Sequence, residues 1–296
     1  MSSLSWHRAS RASLPIAMIP RPLPTTRDPR IYQIAILSTL LIFGSTFLNF
    51  DVTLTDIAAN LGSALVTQWL CTRWWKLPRF DPRSPLISGL SLTLLLRTDS
   101  ILLALAAGAL AILTKFVLRV NNRHIFNPTN IAIVLLLAAG ADVWVSPGQW
   151  GSTAVLAFAF GCVGIFVTHR SERSDVTVAF LVAYVSLIFA RALWLGDPMA
   201  MPVHHLQSGG LFLFAFFMIS DPKTTPNART GRIIHAVLVA TVAIFIQYVL
   251  FRQNGILWAL ALCTLTIPIL DRIFPGPSYQ WTKPSPSQKL NQRSSS

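Results

Sequence analysis

The chain has 296 residues, of which 53% are hydrophobic and 12% are charged. This composition, with repeated apolar runs near the roughly 20 residues that cross a bilayer, excludes an ordinary soluble domain and predicts one integral membrane domain. The net charge of +13 does not indicate a nucleic-acid partner, because the basic residues are spread over the loops between apolar runs and form no single patch.

Hydropathy predicts an all-α fold, a polytopic integral membrane helical bundle over residues 31–273. About ten segments are expected, and two of them are short. In chain order they are 31–50, 53–72, 85–97, 99–119, 128–146, 150–168, 175–195, 206–220, 232–251 and 255–273. The flanking residues 1–30 and 274–296 are rich in Ser, Pro and basic residues, so we interpret them as disordered cytoplasmic tails.

The basic residues predict how the chain is oriented in the membrane. If the N-terminus is cytoplasmic, all but three of the 24 Lys and Arg residues fall on the cytoplasmic side. The exceptions are Arg97, Arg191 and Arg252. Because Lys and Arg gather in cytoplasmic loops, this distribution predicts a multi-pass protein of the cell (inner) membrane with both termini in the cytoplasm.

The sequence contains an internal repeat. Ser88-Gly89 leads an apolar run that ends at Asp99, and Ser208-Gly209 leads a similar run that ends at Asp221. Five segments in each half would invert the second half, so we predict inverted repeats over about 31–146 and 150–273, with the short segments third in each. Paired short helices of this kind indicate a central site. Alternatively, Ser-Gly recurs by chance and only permits close helix packing.

Few polar groups in the apolar segments are candidates for chemistry. Asn127 before Pro128 is a predicted N-cap, and the helix end behind it could hold an anionic or electron-rich ligand edge. Lys115, Arg191 and His235 lie near segment ends, where a side chain can reach the head groups. No catalytic motif and no metal-ligand spacing is found. The three cysteines indicate small buried hydrophobic residues.

The turn after the second short segment offers several groups that a ligand could use. Asp221 could bind a cation, contact a flavin or cap the next helix. Thr224 and Thr225 could form a cradle for phosphate or ribityl oxygens beside Lys223, although a solvated basic loop is the simpler account. We therefore keep both interpretations of this turn.

Three patches of this chain resemble the membrane subunits known as NqrB, of sodium-pumping NADH:quinone reductase, and RnfD, of the Rnf electron-transport complex. These patches are Phe126-Asn127-Pro128, the block SGGLFLFAFFMISDPKTTPNARTGR from Ser208, and Thr266-Ile267-Pro268-Ile269-Leu270-Asp271. The resemblance implies about ten helices, a flavin within a redox-driven ion pump, and partners that include membrane lipid and other membrane or redox subunits. It also suggests a short stand-alone relative, of a type found in enediyne biosynthesis.

The resemblance implies a non-covalent flavin, riboflavin or FMN. Members of the family esterify FMN to the Thr of a Ser-x-Ala-Thr motif, but this chain has Leu211 after Ser208-Gly209-Gly210, so covalent FMN is not expected. The residues predicted to bind the cofactor are Ser88, Gly89, Asn127, Pro128, Ser208, Gly209, Asp221, Thr224 and Thr225.

The sequence therefore predicts a membrane subunit that takes part in electron transport coupled to ion translocation. The alternative is a cofactor-free transporter or channel for a small solute or secondary metabolite. A membrane scaffold with neither activity is the third possibility.

Overall fold

The computed structural model describes residues 28–48, 50–120, 123–146, 161, 163, 164, 173–277 and 279. Its first half contains the helices α1 Pro29–Phe47, α2 Leu54–Trp74, α3 Arg83–Leu95, α4 Ile101–Val117 and α5 Pro128–Ala138. The second half contains α6 Ser174–Leu195, α7 Ala200–Leu206, α8 Gly209–Leu213, the π-helix Phe214–Met218, α9 Arg229–Tyr248, α10 Gly255–Thr264 and α11 Ile267–Ile273. The predicted all-α helical fold is confirmed.

Four strands of two residues each form two small antiparallel pairs within the described residues. These strands are β1 Leu96–Arg97, β2 Arg119–Val120, β3 Arg123–His124 and β4 Trp144–Val145. Strand β1 pairs with β4 and strand β2 pairs with β3. The strands close loops and do not form a layer of the fold.

The predicted count of ten segments is not confirmed. Within the described residues, α1, α6 and α9 are long and apolar enough to cross a membrane, and α10 with α11 would be a fourth span bent by 52°. Helix α3 has 13 residues, and α8 with the π-helix has ten, so the two short segments are indeed short. The predicted segment 150–168 and most of both tails lie outside the described residues.

Local sequence signals explain several helix boundaries. Thr53 and Asp56 form a capping box at the start of α2, in which each side chain accepts a hydrogen bond from the backbone of the other. Helix α5 begins at Pro128 behind the cap Asn127. It ends at Ala138, earlier than the predicted residue 146, and Gly140 follows with a left-handed φ of 67°.

Four helices of the bundle share one direction, whereas the π-helix runs the opposite way. Helices α1, α3, α6 and α9 all begin at one end, which we call the basic end, and ion pairs join Arg30 to Asp81 and Arg232 to Asp175 there. Whereas α3 begins at the basic end, the π-helix finishes close to it, since the Met218 carbonyl accepts a hydrogen bond from Asn127. Helix α2 packs on α4, and α6 packs on α9, in matching arrangements.

The core lies where the short helices meet, and the long helices surround it. Phe180, Phe214 and Met218 are among the largest side chains that are fully buried. The outer surface is apolar as well, and the Trp194 side chain is 88% exposed. A core of short buried helices inside an apolar outer surface is the arrangement expected of a membrane bundle.

Candidate functional site at the junction of the two halves

The first feature of the site is the N-terminal end of α5. The Asn127 side chain accepts a hydrogen bond from the backbone N–H of Asn130 at 3.1 Å, so the predicted N-cap is present. The Asn127 amide also donates to the carbonyl oxygen of Met218 at 3.4 Å. The Thr129 hydroxyl donates to the carbonyl oxygen of Ser88 at 3.4 Å. The structure thus brings Ser88, Asn127 and Pro128 together with the end of the π-helix.

Asn130 joins the two halves of the chain at the same place. Its amide nitrogen donates to the carbonyl oxygen of Leu257 in α10 at 3.1 Å. Its Oδ1 atom is buried without a hydrogen-bond partner, although the residue is only 1% exposed. A buried amide oxygen without a partner is costly, so its presence marks a place where a ligand or water could bind.

Sequence reasoning did not place Asn130 in the site. The available signal was the spacing Asn127-x-x-Asn130, which puts the second amide on the first turn of the helix capped by the first. The sequence alone could not show that α10 packs on this turn.

A π-helix forms the second half's side of the junction. It runs from Phe214 to Met218 and is a departure from regular helix that occurs often at functional sites. The Thr177 hydroxyl of α6 donates to the carbonyl oxygen of Ala215 at 2.8 Å. The rings of Phe180 and Phe214 lie 5.0 Å apart. The irregular backbone is therefore held by neighbouring helices.

The turn after the π-helix uses its polar groups internally. The Asp221 carboxylate accepts a hydrogen bond from the Lys223 backbone N–H at 3.0 Å, and it caps no helix. The hydroxyls of Thr224 and Thr225 donate to the carbonyl oxygen of Asp221 at 3.4 and 3.2 Å. Burial raises the pKa of Asp221, against the lowering effect of Lys223. The hydroxyl protons are thus already engaged in holding the turn.

Three arginines, which we call the arginine cluster, surround this turn: Arg123, Arg173 and Arg232. Arg123 donates to the carbonyl oxygen of Thr225 at 3.0 Å and Arg173 donates to that of Pro226 at 3.0 Å. Arg232 donates to the Asn227 carbonyl oxygen at 2.7 Å. The three arginines thus donate hydrogen bonds to three consecutive backbone carbonyl oxygens, and these bonds hold the turn in one conformation.

The field around the arginine cluster is strongly positive. Burial lowers the pKa of His124 to about 3, and the charges of Lys115, Lys223, Arg119 and Arg123 add to this effect. At neutral pH the imidazole is therefore uncharged. The nearby charges of Lys115, Lys223, Arg119 and Arg123 make this part of the basic end favourable for an anion.

Ser208 and Gly209 lie away from the other predicted site residues. They begin α8, which runs toward the basic end, so they lie nearer the opposite end of the bundle. Gly89 serves close packing, because a Cβ atom there would lie 3.1 Å from the Cα atom of Leu61. The structure thus gathers Ser88, Asn127 and Pro128, with the turn of Asp221, Thr224 and Thr225 beyond the π-helix, and leaves Ser208 and Gly209 apart.

A ring of charges at the basic end was missed by sequence reasoning. Asp28 pairs with Arg30 at 2.7 Å and with Arg83 at 2.6 Å, while Asp81 pairs with the same two arginines at 2.8 and 2.9 Å. The signal was the tripeptide Asp-Pro-Arg, which occurs at 28–30 and again at 81–83. The ring joins the start of α1 to the start of α3.

Two polar residues predicted to reach the head groups instead lie against neighbouring helices. His235 is 0% exposed, and neither ring nitrogen has a hydrogen-bond partner. The Lys115 ammonium group donates to Gln68 and Ser84. The prediction is wrong for both because α9 and α4 are covered on those faces by neighbouring helices. Arg191 is partly exposed and pairs with Asp197 at 3.0 Å.

Potential metal ligands are dispersed among the described residues. Cys71 and Cys263 are buried free thiols, as predicted, while Cys162 lies outside the described residues. The part of the chain that the structure describes holds no group of three His, Cys, Asp or Glu side chains that could bind a metal ion.

Several long apolar helices and an apolar outer surface define the class: this is a multi-pass helical membrane protein. Residues 140–279, just under half of the chain, match the model of the NQR2, RnfD, RnfE family. The resemblance predicted from the sequence is confirmed over this region, which includes Asp221 and Thr266 to Asp271. Ser88 and Phe126-Asn127-Pro128 precede the matched residues.

Three curated relatives are each described as one subunit of an ion-translocating oxidoreductase complex. The protein of Pectobacterium atrosepticum is 33% identical over 127 residues, that of Citrobacter koseri 31% over 123 residues, and that of Cronobacter sakazakii 31% over 126 residues. Each alignment covers 42% of this chain and 34% of the relative. The chain thus spans about a third of the length of these relatives.

Proposed function

We propose that this chain is a membrane subunit that takes part in electron transport coupled to ion translocation, with a flavin held non-covalently at the junction of the two halves. The observation that carries the proposal is the buried Oδ1 atom of Asn130, which has no partner where α5 meets α10. The description of the relatives as subunits of an ion-translocating oxidoreductase complex supports the electron-transport role.

The residues at the junction suit the edge of a flavin ring. An isoalloxazine presents an N–H donor between two carbonyl acceptors, and the Asn130 Oδ1 atom is an acceptor that still needs a donor. Asn127 holds Asn130 in place through its hydrogen bond to the Asn130 backbone N–H. When bound, a flavin supplies transfer of one or two electrons. The buried apolar residues around the junction exclude water, and Asn127 and Asn130 orient the ring edge.

Other subunits are needed for a complete redox chain. We propose that the partners are membrane lipid and other membrane or redox subunits, since the relatives are named as parts of a complex. The basic end is proposed to face the cytoplasm, because Arg30, Arg83, Arg123, Arg173 and Arg232 lie there. This orientation in the cell (inner) membrane places both termini in the cytoplasm.

A cofactor-free transporter or channel is the second candidate, and the opposite directions of α3 and the π-helix favour it. Transporters built on inverted repeats place their substrate at the repeat interface, often between interrupted helices. Here α3 and the π-helix are the interrupted elements, and both contribute backbone carbonyl groups to the junction.

The first experiment is purification of the full chain in mild detergent, followed by flavin absorbance and fluorescence before and after acid precipitation. The proposal expects yellow supernatant. Asn130→Leu is expected to lose the flavin, whereas Asn60→Leu is the matched control, since Asn60 is also a buried amide with an unpartnered Oδ1 atom but lies in α2. A yellow pellet would overturn the non-covalent site. Absence of colour from both fractions would favour transport, tested by ion or solute flux into vesicles.

A further inference from the structure

The arginines at the basic end differ in whether a carboxylate lies close enough to form an ion pair with them. Arg232 pairs with Asp175 at 2.6 Å and Arg123 pairs with Asp271 at 3.6 Å. Arg173, in contrast, donates hydrogen bonds to the carbonyl oxygens of Pro226 at 3.0 Å and Asn227 at 3.5 Å. Within the described residues, Arg173 is therefore the member of the arginine cluster that has no carboxylate at ion-pair distance.

Arg173 also keeps a hydrogen-bond donor unused inside the protein. The residue is 3% exposed, and its Nε–H group has no partner. Burial and the charge of Arg232 lower the pKa of Arg173 to about 10, so the guanidinium stays charged at neutral pH. A buried charge with an unused donor is unfavourable unless an anion satisfies it.

A short strap of the chain covers Arg173. Phe274–Pro277 and Tyr279 follow α11, and the Tyr279 ring lies over the guanidinium at 5.6 Å. The Tyr279 carbonyl oxygen accepts a hydrogen bond from the Lys223 ammonium group at 3.4 Å. These residues carry no charge, so the strap covers the two cations without neutralising them.

The position of the strap is fixed by close packing against the turn. A Cβ atom at Gly276 would lie 2.7 Å from the backbone nitrogen of Ala228, so only glycine allows this approach. Among the described residues, the Tyr279 ring faces the Arg173 guanidinium and the Tyr279 carbonyl oxygen accepts a hydrogen bond from Lys223. An anion that forms charge-assisted hydrogen bonds would bind Arg173 more strongly than the ring does.

We propose that Arg173 and Lys223 form a binding site for a phosphate group at the basic end, and that the Tyr279 end of the strap occupies this site until the phosphate displaces it. Arginine binds phosphate through two parallel hydrogen bonds, and the unused Nε–H group is one of the donors that such a pair needs. The phosphate can belong to an anionic phospholipid of the adjacent leaflet or to a free phosphate ester. This site is separate from the junction at Asn130 and does not depend on a flavin.

Two arms of one experiment distinguish the sources. In the first, the full chain in phosphatidylcholine nanodiscs is dialysed against radiolabelled inorganic phosphate. In the second, native mass spectrometry counts phosphatidylglycerol molecules that remain bound in detergent. Phosphate binding in the first arm indicates a free phosphate group, whereas retained phosphatidylglycerol without phosphate binding indicates a lipid.

Variants assign the binding to Arg173. Arg173→Gln is expected to weaken binding about tenfold or more, which is the effect of losing one charge-assisted hydrogen-bonding group. Arg173→Lys keeps the charge and should bind with intermediate affinity. Arg191→Gln is the matched control, because Arg191 also lies over a tyrosine, Tyr248, at 4.1 Å, but near the opposite end of α6.

A variant of Tyr279 in the strap provides an independent test if Arg173→Gln fails to fold. Tyr279→Leu leaves both cations intact and removes the aromatic face, so phosphate or phosphatidylglycerol should bind more tightly than to the unchanged chain. Equal binding in the unchanged chain, Arg173→Gln and Tyr279→Leu would overturn the proposal. Failure of both ligands to bind the unchanged chain and Tyr279→Leu would overturn it as well.

Discussion

The side-chain amide nitrogen of Asn130 in the first half donates a buried hydrogen bond to the carbonyl oxygen of Leu257 in the second half, and these two atoms lie 3.1 Å apart. Both residues lie in the first turn of a helix, α5 and α10 respectively. The two halves are therefore joined through the first turns of α5 and α10. This contact makes the junction sensitive to small changes in a single amide.

Asn130→Asp should destabilise the protein strongly. The substitution removes the donor to Leu257 and buries a carboxylate without a cation partner, which costs about 3 kcal/mol at neutral pH. Thermal unfolding in detergent measures the change as a lower midpoint. Gln253→Glu is the control, since it adds the same charge at an exposed position. Equal unfolding midpoints for the two variants would show that water reaches the junction and solvates the new carboxylate.

Gly108→Ala should separate α2 from α4. A Cβ atom at position 108 would lie 2.7 Å from the carbonyl oxygen of Asn60 and would collide with the Ser63 hydroxyl. Overpacking of this kind costs about 1–3 kcal/mol, to be measured by denaturant unfolding. Gly62→Ala is the control, because nothing lies within 4 Å of its added Cβ atom. A similar stability for both variants would contradict the close packing of these helices.

The charge ring should stabilise the protein above acidic pH only. Burial raises the pKa values of Asp28 and Asp81, but hydrogen bonds and charges of Arg30 and Arg83 outweigh it and hold both below 3.8. Carboxyl groups with depressed pKa values contribute stability above their unfolded pKa, about 4, and lose it as the pH falls through the folded value. Because Asp81 and Arg83 are partly exposed, the ion pair between them is worth below about 1 kcal/mol.

The double variant Asp28→Asn with Asp81→Asn tests the ring. Its unfolding midpoint at neutral pH should lie below that of the unchanged chain, and its decrease toward acidic pH should be smaller. Asp197→Asn, which removes the ion pair to Arg191, serves as the comparison. An acid-dependent decrease as steep as that of the unchanged chain would mean that other carboxylates dominate.

His235→Phe should leave stability unchanged or raise it by up to about 1 kcal/mol. The imidazole is fully buried, and neither nitrogen has a partner, so an apolar ring removes an unsatisfied polar group. Thermal unfolding checks the effect. Asn127→Ala is the comparison, since losing a satisfied cap costs about 1 kcal/mol. Marked destabilisation by His235→Phe would indicate that water or a ligand satisfies the imidazole in the membrane.

Hydropathy and cap chemistry predicted much of the fold. The start of α5 at Pro128 and the cap by Asn127 are local, because a side chain and a backbone three residues away decide them. The positions of the two short helices were also visible as Ser-Gly before an apolar run. What hydropathy could not show is helix length, because α5 stops at Ala138 although apolar sequence continues.

The site itself depends on contacts between distant residues. Thr129 meets Ser88, and Arg123 meets Thr225, only because helices from different parts of the chain pack together. Ser208 and Gly209 were grouped with the other site residues by sequence analogy, yet α8 runs toward the basic end, so its first residues lie away from the start of α3. His235 was misplaced because hydropathy does not tell which face of a helix is covered.

The unequal lengths of the helices have a consequence for assembly during synthesis. Helices α1, α6 and α9 are long and apolar enough to stand alone in lipid, whereas α3, α5 and the π-helix are too short to satisfy the bilayer by themselves. Helix α1 also pairs with Asp81, which the ribosome adds about fifty residues later. The long helices are therefore expected to insert on their own, α1 first, whereas the short helices that build the junction are expected to enter the membrane only beside neighbours that shield them from lipid.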